Sequence, residues 1–540
     1  MQSTMQDVPL TITNIFQRGR TIFGDSAVIT CQGEASRTST FAEVGERAAR
    51  LAAALRDKLG IQDGDRVGTL CWNDQEHLEA YFAIPGIGAV LHTLNLRLPP
   101  QQLAFIVNHA QDRVVIVDSS LIPLLAAIRP HLNTVERVVV IGDGDVSALG
   151  GDVIRYDDLI ADVAPLHEWP EIDERQAASM CYTTGTTGDP KGVVYSHRSI
   201  WLHSYAVWAN FGFVEADRLL AIVPMFHVNA WGTPFACWMT GVDLLLPDRF
   251  LQPEPLLAFI QSAKPTFAAG VPTVFQGLLL AADAAGVRMD TIRSAICGGS
   301  AVPTALMQAY EGRHFPLVQA WGMTETSPIG AVANPPKTAT ADEFWHYRGA
   351  TGRVVGGVEL RITDDEGGVL PWDGEAVGEI EVRGPWITGS YYGVEAPERF
   401  HDGWLRTGDV GSVDRQGFIQ ITDRAKDVIK SGGEWISSVE IENLLMGHPG
   451  VADAACVGVP DEKWQERPLA VVVAKPGATV SPEELRSFLQ DRVARFWLPE
   501  RWAIIEEIPK TSVGKQDKKR IRSLHAENAI AVVTLGSAGR

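Results

Sequence analysis

Tyr182-Thr183-Thr184-Gly185-Thr186-Thr187-Gly188-Asp189-Pro190-Lys191-Gly192 gathers four threonines, three glycines and a lysine into one short loop. Glycine lets the backbone come close to a polyphosphate, threonine hydroxyls and backbone N–H groups donate to its oxygens, and Lys191 supplies neutralising charge. The loop therefore reads as a phosphate cradle. The apolar run at 177–181 before it reads as a buried strand. The spacing lacks the Gly-Lys-Ser/Thr that opens a helix in a Walker loop, which argues against a P-loop NTPase.

Outward from this loop, helical and strand patterns alternate. An Ala/Leu/Arg-rich amphipathic period covers 41–59, and strand-like runs stand at 66–70, 113–117 and 137–141. Such alternation predicts parallel sheets covered by helices. Pro99-Pro100 and the Gly/Asp-rich stretch 142–152 read as loops. From Gly352 the texture changes to short alternating segments such as 358–362 and 378–382, which predicts a β-rich subdomain. Beyond Asp423 a helix is expected at 438–446, strands at 452–459 and 470–474, and a helix at 482–493 capped by Ser481. No role is legible for the tail after Ala526, which is expected to be partly disordered.

A chain of 540 residues exceeds one ordinary core and should divide into at least two domains. The balance of 47 basic against 66 acidic residues, net −19, disfavours a general nucleic-acid or anionic-membrane surface but leaves room for local basic groups at a nucleotide. Hydrophobic content is 45%, yet no apolar run reaches the roughly 18 residues of a membrane helix, and no secretory signal is visible at the N-terminus. Six scattered cysteines show no metal-ligand spacing and read as reduced thiols, so a cytoplasmic location is expected.

Four further segments follow the loop in order: QAWGMTET at 319–326, WLRTGDV at 404–410, DRAKDVIKSGGEWISSVE at 423–440 and PKTSVGK at 509–515. With the loop, they resemble the ordered signature of the AMP-forming adenylating superfamily, which contains acyl-CoA synthetases, firefly-type luciferases and peptide-synthetase adenylation domains. The resemblance implies an α/β fold: a large N-terminal region of two helix-covered sheets plus a small β-rich subdomain, then a small mobile α+β C-terminal domain. It implies boundaries at 1–425, with the β-rich part at about 350–425, and 426–540, with Lys426 as the hinge. ATP, Mg²⁺ and coenzyme A are the implied cofactor and co-substrates.

Residue roles follow from the same resemblance. Thr183, Thr184, Gly185, Thr186, Thr187, Gly188 and Lys191 would surround the β- and γ-phosphates, with Thr184 and Glu325 at the metal. Gly298, Gly299, Ser300 and Ala301 would lie along the adenine, beside Gln319, Ala320, Trp321, Gly322 and Met323, with Trp321 stacked on the ring. Thr324 would sit near the α-phosphate, and Asp409 and Arg424 at the ribose. On charge alone Lys515 belongs to a solvated basic run, 515–522; the resemblance makes it the lysine that bridges carboxylate and α-phosphate. Thr184, His227, Glu325 and Lys515 are thus the catalytic candidates. Lys430, Ser431, Gly432 and Gly433 would shape a channel for the CoA thiol.

The stretch PMFHVNAWG at 224–232 resembles the acyl-pocket entrance of CoA ligases. His227 stands where amino-acid-activating domains carry an Asp, which disfavours an amino-acid substrate. His227, Val228, Trp231, Gly232, Val271 and Gly298, with Pro272 and Trp238, are the expected acyl wall. HVNAWG together with GGEWISS looks most like the medium-chain fatty-acid and 3-methylthiopropionate CoA ligase branch. The expected activity is ATP-dependent acyl-CoA formation through an acyl-adenylate, on a medium-chain or similar hydrophobic acid. The alternatives are an adenylating enzyme of specialised metabolism, acting on a cyclic or aromatic acid or loading a separate carrier protein, and a non-catalytic nucleotide-binding relative. The partners are small molecules; homodimerisation is common in the family.

Overall fold

The computed structural model describes residues 1, 3–183, 189–424, 427–431, 434–461, 463–511 and 515–535, with the backbone alone at 430, 434 and 435. Thr184, Gly185, Thr186, Thr187 and Gly188 of the phosphate loop, Lys426, and Gly432 and Gly433 fall outside the described residues, as does the Lys430 side chain.

The first sheet has seven strands in the order Val153–Arg155, Arg137–Ile141, Asp112–Asp118, Arg66–Leu70, Val90–Thr93, Ala177–Tyr182 and Gly192–Ser196. All pair parallel except the last two, which flank the phosphate loop as an antiparallel hairpin. The Val- and Ile-rich strands are buried on both faces, as parallel sheets require. The amphipathic period at 41–59 forms Phe41–Asp57, entered through a capping box of Thr40 with Glu43. Pro99-Pro100 is a helix start rather than a loop: Pro100 opens Pro100–Ala110, where its missing N–H and fixed φ suit the first turn.

The second sheet has fourteen strands. Its parallel centre includes Arg218–Ala221, Phe267–Gly270, Ser294–Gly298 and Leu317–Gly322. The β-rich part does exist, but it is woven into this sheet and is no separate layer. Gly352–Val354 pairs with Ile329–Val332 on one side and Phe418–Arg424 on the other, carrying the hydrogen bonding on to Trp404–Val413, Gly378–Arg383 and Glu359–Thr363. Gly352 makes that junction: it has φ +137°, and a Cβ there would lie 2.7 Å from the Val332 backbone.

The C-terminal part folds around a six-stranded sheet dominated by Val451–Asp461 and Gln465–Ala474, with helices Ser438–Met446, Pro482–Gln490 and Lys518–Ala526. Ser481 caps its helix in a box with Glu484. In the tail, Val533–Thr534 adds a short antiparallel strand to Arg501–Ile504, so order extends past Ala526. The architecture is mixed α/β, a large N-terminal sheet domain and a smaller C-terminal domain. Among the described residues no hydrophobic cluster contains members from both sides of the 424–427 crossing.

Candidate active site

A cavity of about 680 Å³ opens where Ser294–Gly298 and Leu317–Gly322 end, at the C-terminal edge of the parallel strands where α/β sheets bind ligands. Its wall includes Thr183, Lys191, His227, Val228, Trp231, Gly298, Gly299, Ala320, Trp321, Gly322, Met323, Thr324, Glu325 and Arg424 from the larger part, and Lys515 from the smaller. Six separate sequence segments thus converge on one volume.

Thr183 and Lys191 close the base of the phosphate hairpin. Thr183 N donates to Lys191 O at 2.9 Å, and Lys191 N donates to Thr183 Oγ1 at 3.3 Å. The Lys191 ammonium lies 4.9 Å from the centre of the Tyr391 ring and 3.6 Å from Glu398. Tyr391 in turn donates its hydroxyl to Glu325 Oε1 at 2.7 Å, while Arg399 stands 3.9 Å from the same oxygen. Burial first, and then the Glu325 charge, push the Tyr391 phenol up, so it stays a donor at neutral pH. Tyr195 fixes the neighbouring backbone by donating to Thr324 O at 2.8 Å.

At the nucleoside-sized end, the Trp321 indole N–H donates to Asp409 Oδ2 at 2.8 Å, and the Arg424 guanidinium lies 3.2 Å from Asp409 Oδ1. Asp409 is buried behind Trp321 and holds two cavity residues at once. Its charge is the first cause raising the Arg424 pKa. Gly298 admits nothing larger: a Cβ would sit 2.5 Å from Ala320 O and 3.5 Å from the Trp231 indole.

The apolar end is closed by Val207 and Phe211 of the helix His197–Phe211 and by Ile296, Val228, Trp231 and Ile329. Val228, Asn229, Ala230 and Trp231 have φ of 48°, 50°, 48° and 57°, and Gly232 has 72°, a left-handed turn made mostly of non-glycine residues. Such backbone costs roughly 1–2 kcal/mol per residue and persists only where its surroundings dictate it. Asn229 anchors the turn: its Oδ1 accepts from Ser179 Oγ at 3.1 Å and Cys181 Sγ at 3.6 Å, both on the strand that leads into the phosphate loop. His227, at the turn's entrance, has its pKa lowered to about 3, by burial first and then by the Lys515 and Arg97 charges, so its imidazole is neutral.

Several expected residues stand elsewhere. Trp238 is wholly core, stacked on Phe41 and donating to Phe16 O, because its helix Thr233–Thr240 is buried on all sides. Gln319 faces away from the cavity, accepting from Val302 N and donating to Ala350 O, each at 2.7 Å. Gly232 and Val271 do not line it; Gly232 abuts the His203 ring, and Val271, ahead of Pro272, packs at the Gly299 rim. Ser300 and Ala301 are exposed beyond that rim. Ser431 is buried in the C-terminal sheet, within 3.1 Å of Arg467 Nη1. Tyr391, Glu398 and Arg399 escaped the sequence reading, although the Gly-flanked Tyr391-Tyr392 pair was a signal; Val207 and Phe211 could have been found as an i, i+4 apolar pair.

Residues 17–392 match the AMP-binding enzyme family, and residues 440–515 match the AMP-binding enzyme C-terminal domain. The chain belongs to the AMP-binding enzyme family. Among curated relatives, this AMP-binding enzyme is 42% identical to the 3-methylmercaptopropionyl-CoA ligase of Ruegeria pomeroyi, over 97% of this chain and 98% of that one. It is 45% identical to the long-chain-fatty-acid–CoA ligase of Thermus thermophilus, over 96% of each. Among solved structures it superposes on the anthranilate CoA ligase AuaEII in complex with anthranoyl-AMP with TM-score 0.88 and 28% identity, covering 97% of this chain and 100% of that one.

Proposed function

We propose that this AMP-binding enzyme is an ATP-dependent carboxylic acid–CoA ligase that forms acyl-CoA through an acyl-adenylate, on a medium-chain fatty acid or a comparably hydrophobic acid. The observation that carries the reading is the meeting of Lys515 with Lys191, Glu325 and an apolar wall in one cavity. Full-length similarity to two acid–CoA ligases supports the chemistry, and the acids in their names, a short thioether acid and a long-chain acid, bracket a medium chain.

In the first half-reaction a carboxylate oxygen attacks the α-phosphorus of ATP, forming a C–O–P linkage while the bond to pyrophosphate breaks. Lys191, with the phosphate loop, holds the departing pyrophosphate. Lys515 lies between carboxylate and α-phosphate and offsets the charge developing there. Trp321 stacks on the adenine over Gly298 and Gly299, and Asp409 with Arg424 takes the ribose. Neutral His227 borders the acyl group without placing a charge beside it. Glu325 fits a magnesium site: it offers a hard carboxylate oxygen on the cavity wall, matching a cation that arrives on phosphates. With Thr184 it would hold Mg²⁺, which neutralises phosphate charge when bound.

In the second half-reaction the CoA thiolate attacks the acyl carbonyl and AMP leaves. We place the division of the chain at 1–425 and 426–540, with Lys426 as the hinge that withdraws Lys515 and brings the 430–433 segment to the site. The lack of a hydrophobic cluster across the crossing, among the described residues, supports this mobility. Six unpaired, buried cysteines support a reducing compartment, the cytoplasm. No helix among the described residues is long and apolar enough to cross a membrane.

The test is pyrophosphate release across a panel of acids, with and without CoA, identifying AMP and thioester by mass spectrometry. Acid-dependent AMP and acyl-CoA are expected. Pyrophosphate with bound adenylate and no thioester would move the acceptor to a carrier protein; no turnover with any acid would overturn the reading.

A further inference from the structure

We infer that Gln276 is a positioning residue for adenylation, holding the strand that carries the Lys515 loop against the larger domain; this rests on the ligase reading above. Gln276 lies in the second turn of Pro272–Ala285, the helix that starts at the Gly299 rim of the cavity. Its amide Nε2 donates to the carbonyl of Ala452, in the smaller domain, at 2.8 Å.

The acceptor is available because of a bulge. Val451–Asp461 pairs antiparallel with Gln465–Ala474, but the register slips between Val451 and Asp453: Val451 opposes Ala474 and Asp453 opposes Val473, leaving Ala452 without a partner. A bulged residue is turned out of the ladder, and its carbonyl is free for a contact from outside the sheet. Just beyond it the same strand grips the Lys515 loop. Gln516 Nε2 donates to Ala454 O at 2.7 Å and Asp453 Oδ1 at 3.1 Å, and Lys510 lies 3.7 Å from Asp453. Lys510 and Gln516 bridge each other across the base of that loop. The path from the cavity rim to Lys515 thus runs through Gln276, the Ala452 bulge, Asp453 and Ala454, and Gln516.

Its placement distinguishes this contact from others across the boundary. Ser437 Oγ donates to Thr422 O, and Ser438 N to Asp423 Oδ2, but each joins residues only 15 apart, which the chain keeps near one another in any orientation. Gln276 and Ala452 are 176 residues apart. No apolar cluster crosses the boundary among the described residues, and this hydrogen bond ties the two sides between positions remote in the chain.

Gln276→Ala removes the donor, and Gln276→Glu keeps the length while replacing the donor by a charge that repels the carbonyl. A neutral hydrogen bond shifts an equilibrium by roughly 2- to 10-fold. Acid-dependent ATP–pyrophosphate exchange should fall by that factor in both variants, with thioester formation from supplied acyl-adenylate unchanged and thermal melting as in the parent protein. Lys515, undocked more often, should react with acetic anhydride faster by a similar factor, read at its own peptide by mass spectrometry. Unchanged exchange, an equal fall in both half-reactions, or parental Lys515 reactivity in both variants would overturn the assignment. The labelling needs no turnover, so it decides whether Gln276 holds Lys515 even if the parent activates none of the acids tried.

Discussion

Replacing Asn229 separates the two things this residue does in the left-handed turn at 228–232. Its amide oxygen accepts from Ser179 Oγ and Cys181 Sγ, and its backbone sits at φ 50°, which asparagine tolerates better than most residues. Asn229→Ala loses both features. Ser179 retains Leu91 O as a partner at 3.1 Å, so the lost anchor is mainly that of a buried thiol and of the turn itself, at about 1–3 kcal/mol. Asn229→Gly loses the same anchor but removes the Cβ from the left-handed backbone. That relief of roughly 1–2 kcal/mol, less the 0.5–1 that glycine's freedom in the unfolded chain costs, leaves the glycine variant above the alanine variant by about 0.75 kcal/mol at the centre of those ranges. The assay is the urea midpoint of the first unfolding transition at unchanged slope, for both variants beside the parent. Both should also broaden the acid profile, because the turn is what sets Trp231 against Gly298. Equal midpoints in the two variants would refute the strain account. An acid profile identical to the parent in both would refute the link between turn and pocket.

Lys515→Ala should lower acid-dependent pyrophosphate exchange by about two to three orders of magnitude, the scale of losing a group aimed at developing charge, while conversion of supplied acyl-adenylate to thioester stays close to normal. Trp231→Ala should move the preferred acid toward longer chains, since each added methylene buried is worth about 0.8 kcal/mol, near fourfold in kcat/KM; ATP KM is the control that should not move. For His227, the folded pKa of about 3 is below that of an ordinary imidazole, so the protonated form is disfavoured in the fold and the ring stays neutral as pH falls through 6.5. The pH profile of adenylation should carry no limb near 6.5 that His227→Asn removes; such a limb would show a titrating imidazole.

Where one local force decides, the sequence reading and the structure agree. The β-branched runs at 113–117 and 137–141 became Asp112–Asp118 and Arg137–Ile141, because continuous apolar strands fit only a sheet buried on both faces. The helix expected at 438–446 was similarly local and formed as Ser438–Met446. Long-range choices were not legible. Nothing near Trp238 tells whether an apolar helix faces a pocket or a core; Phe41, close to 200 residues away in the chain, settles it. Gln319 stands in a motif that points to the nucleotide, yet backbone groups on both sides claim its amide. Tyr391 reaches Glu325 from a Gly-flanked tyrosine pair whose sequence names no partner, so only the folded chain reveals that contact.

The continuity of the fourteen-stranded sheet also dictates where this protein can be cut and recombined. A graft made near residue 350, where the sequence texture changes, would sever the pairing of Gly352–Val354 with Ile329–Val332 and leave a raw strand edge on each fragment. A graft made at 425–426 crosses no shared apolar cluster among the described residues and keeps both sheets whole. A donor C-terminal unit spliced there must bring partners for Gln276, Thr422 and Asp423 and a lysine loop of matching reach to be read as native by the rest of the molecule.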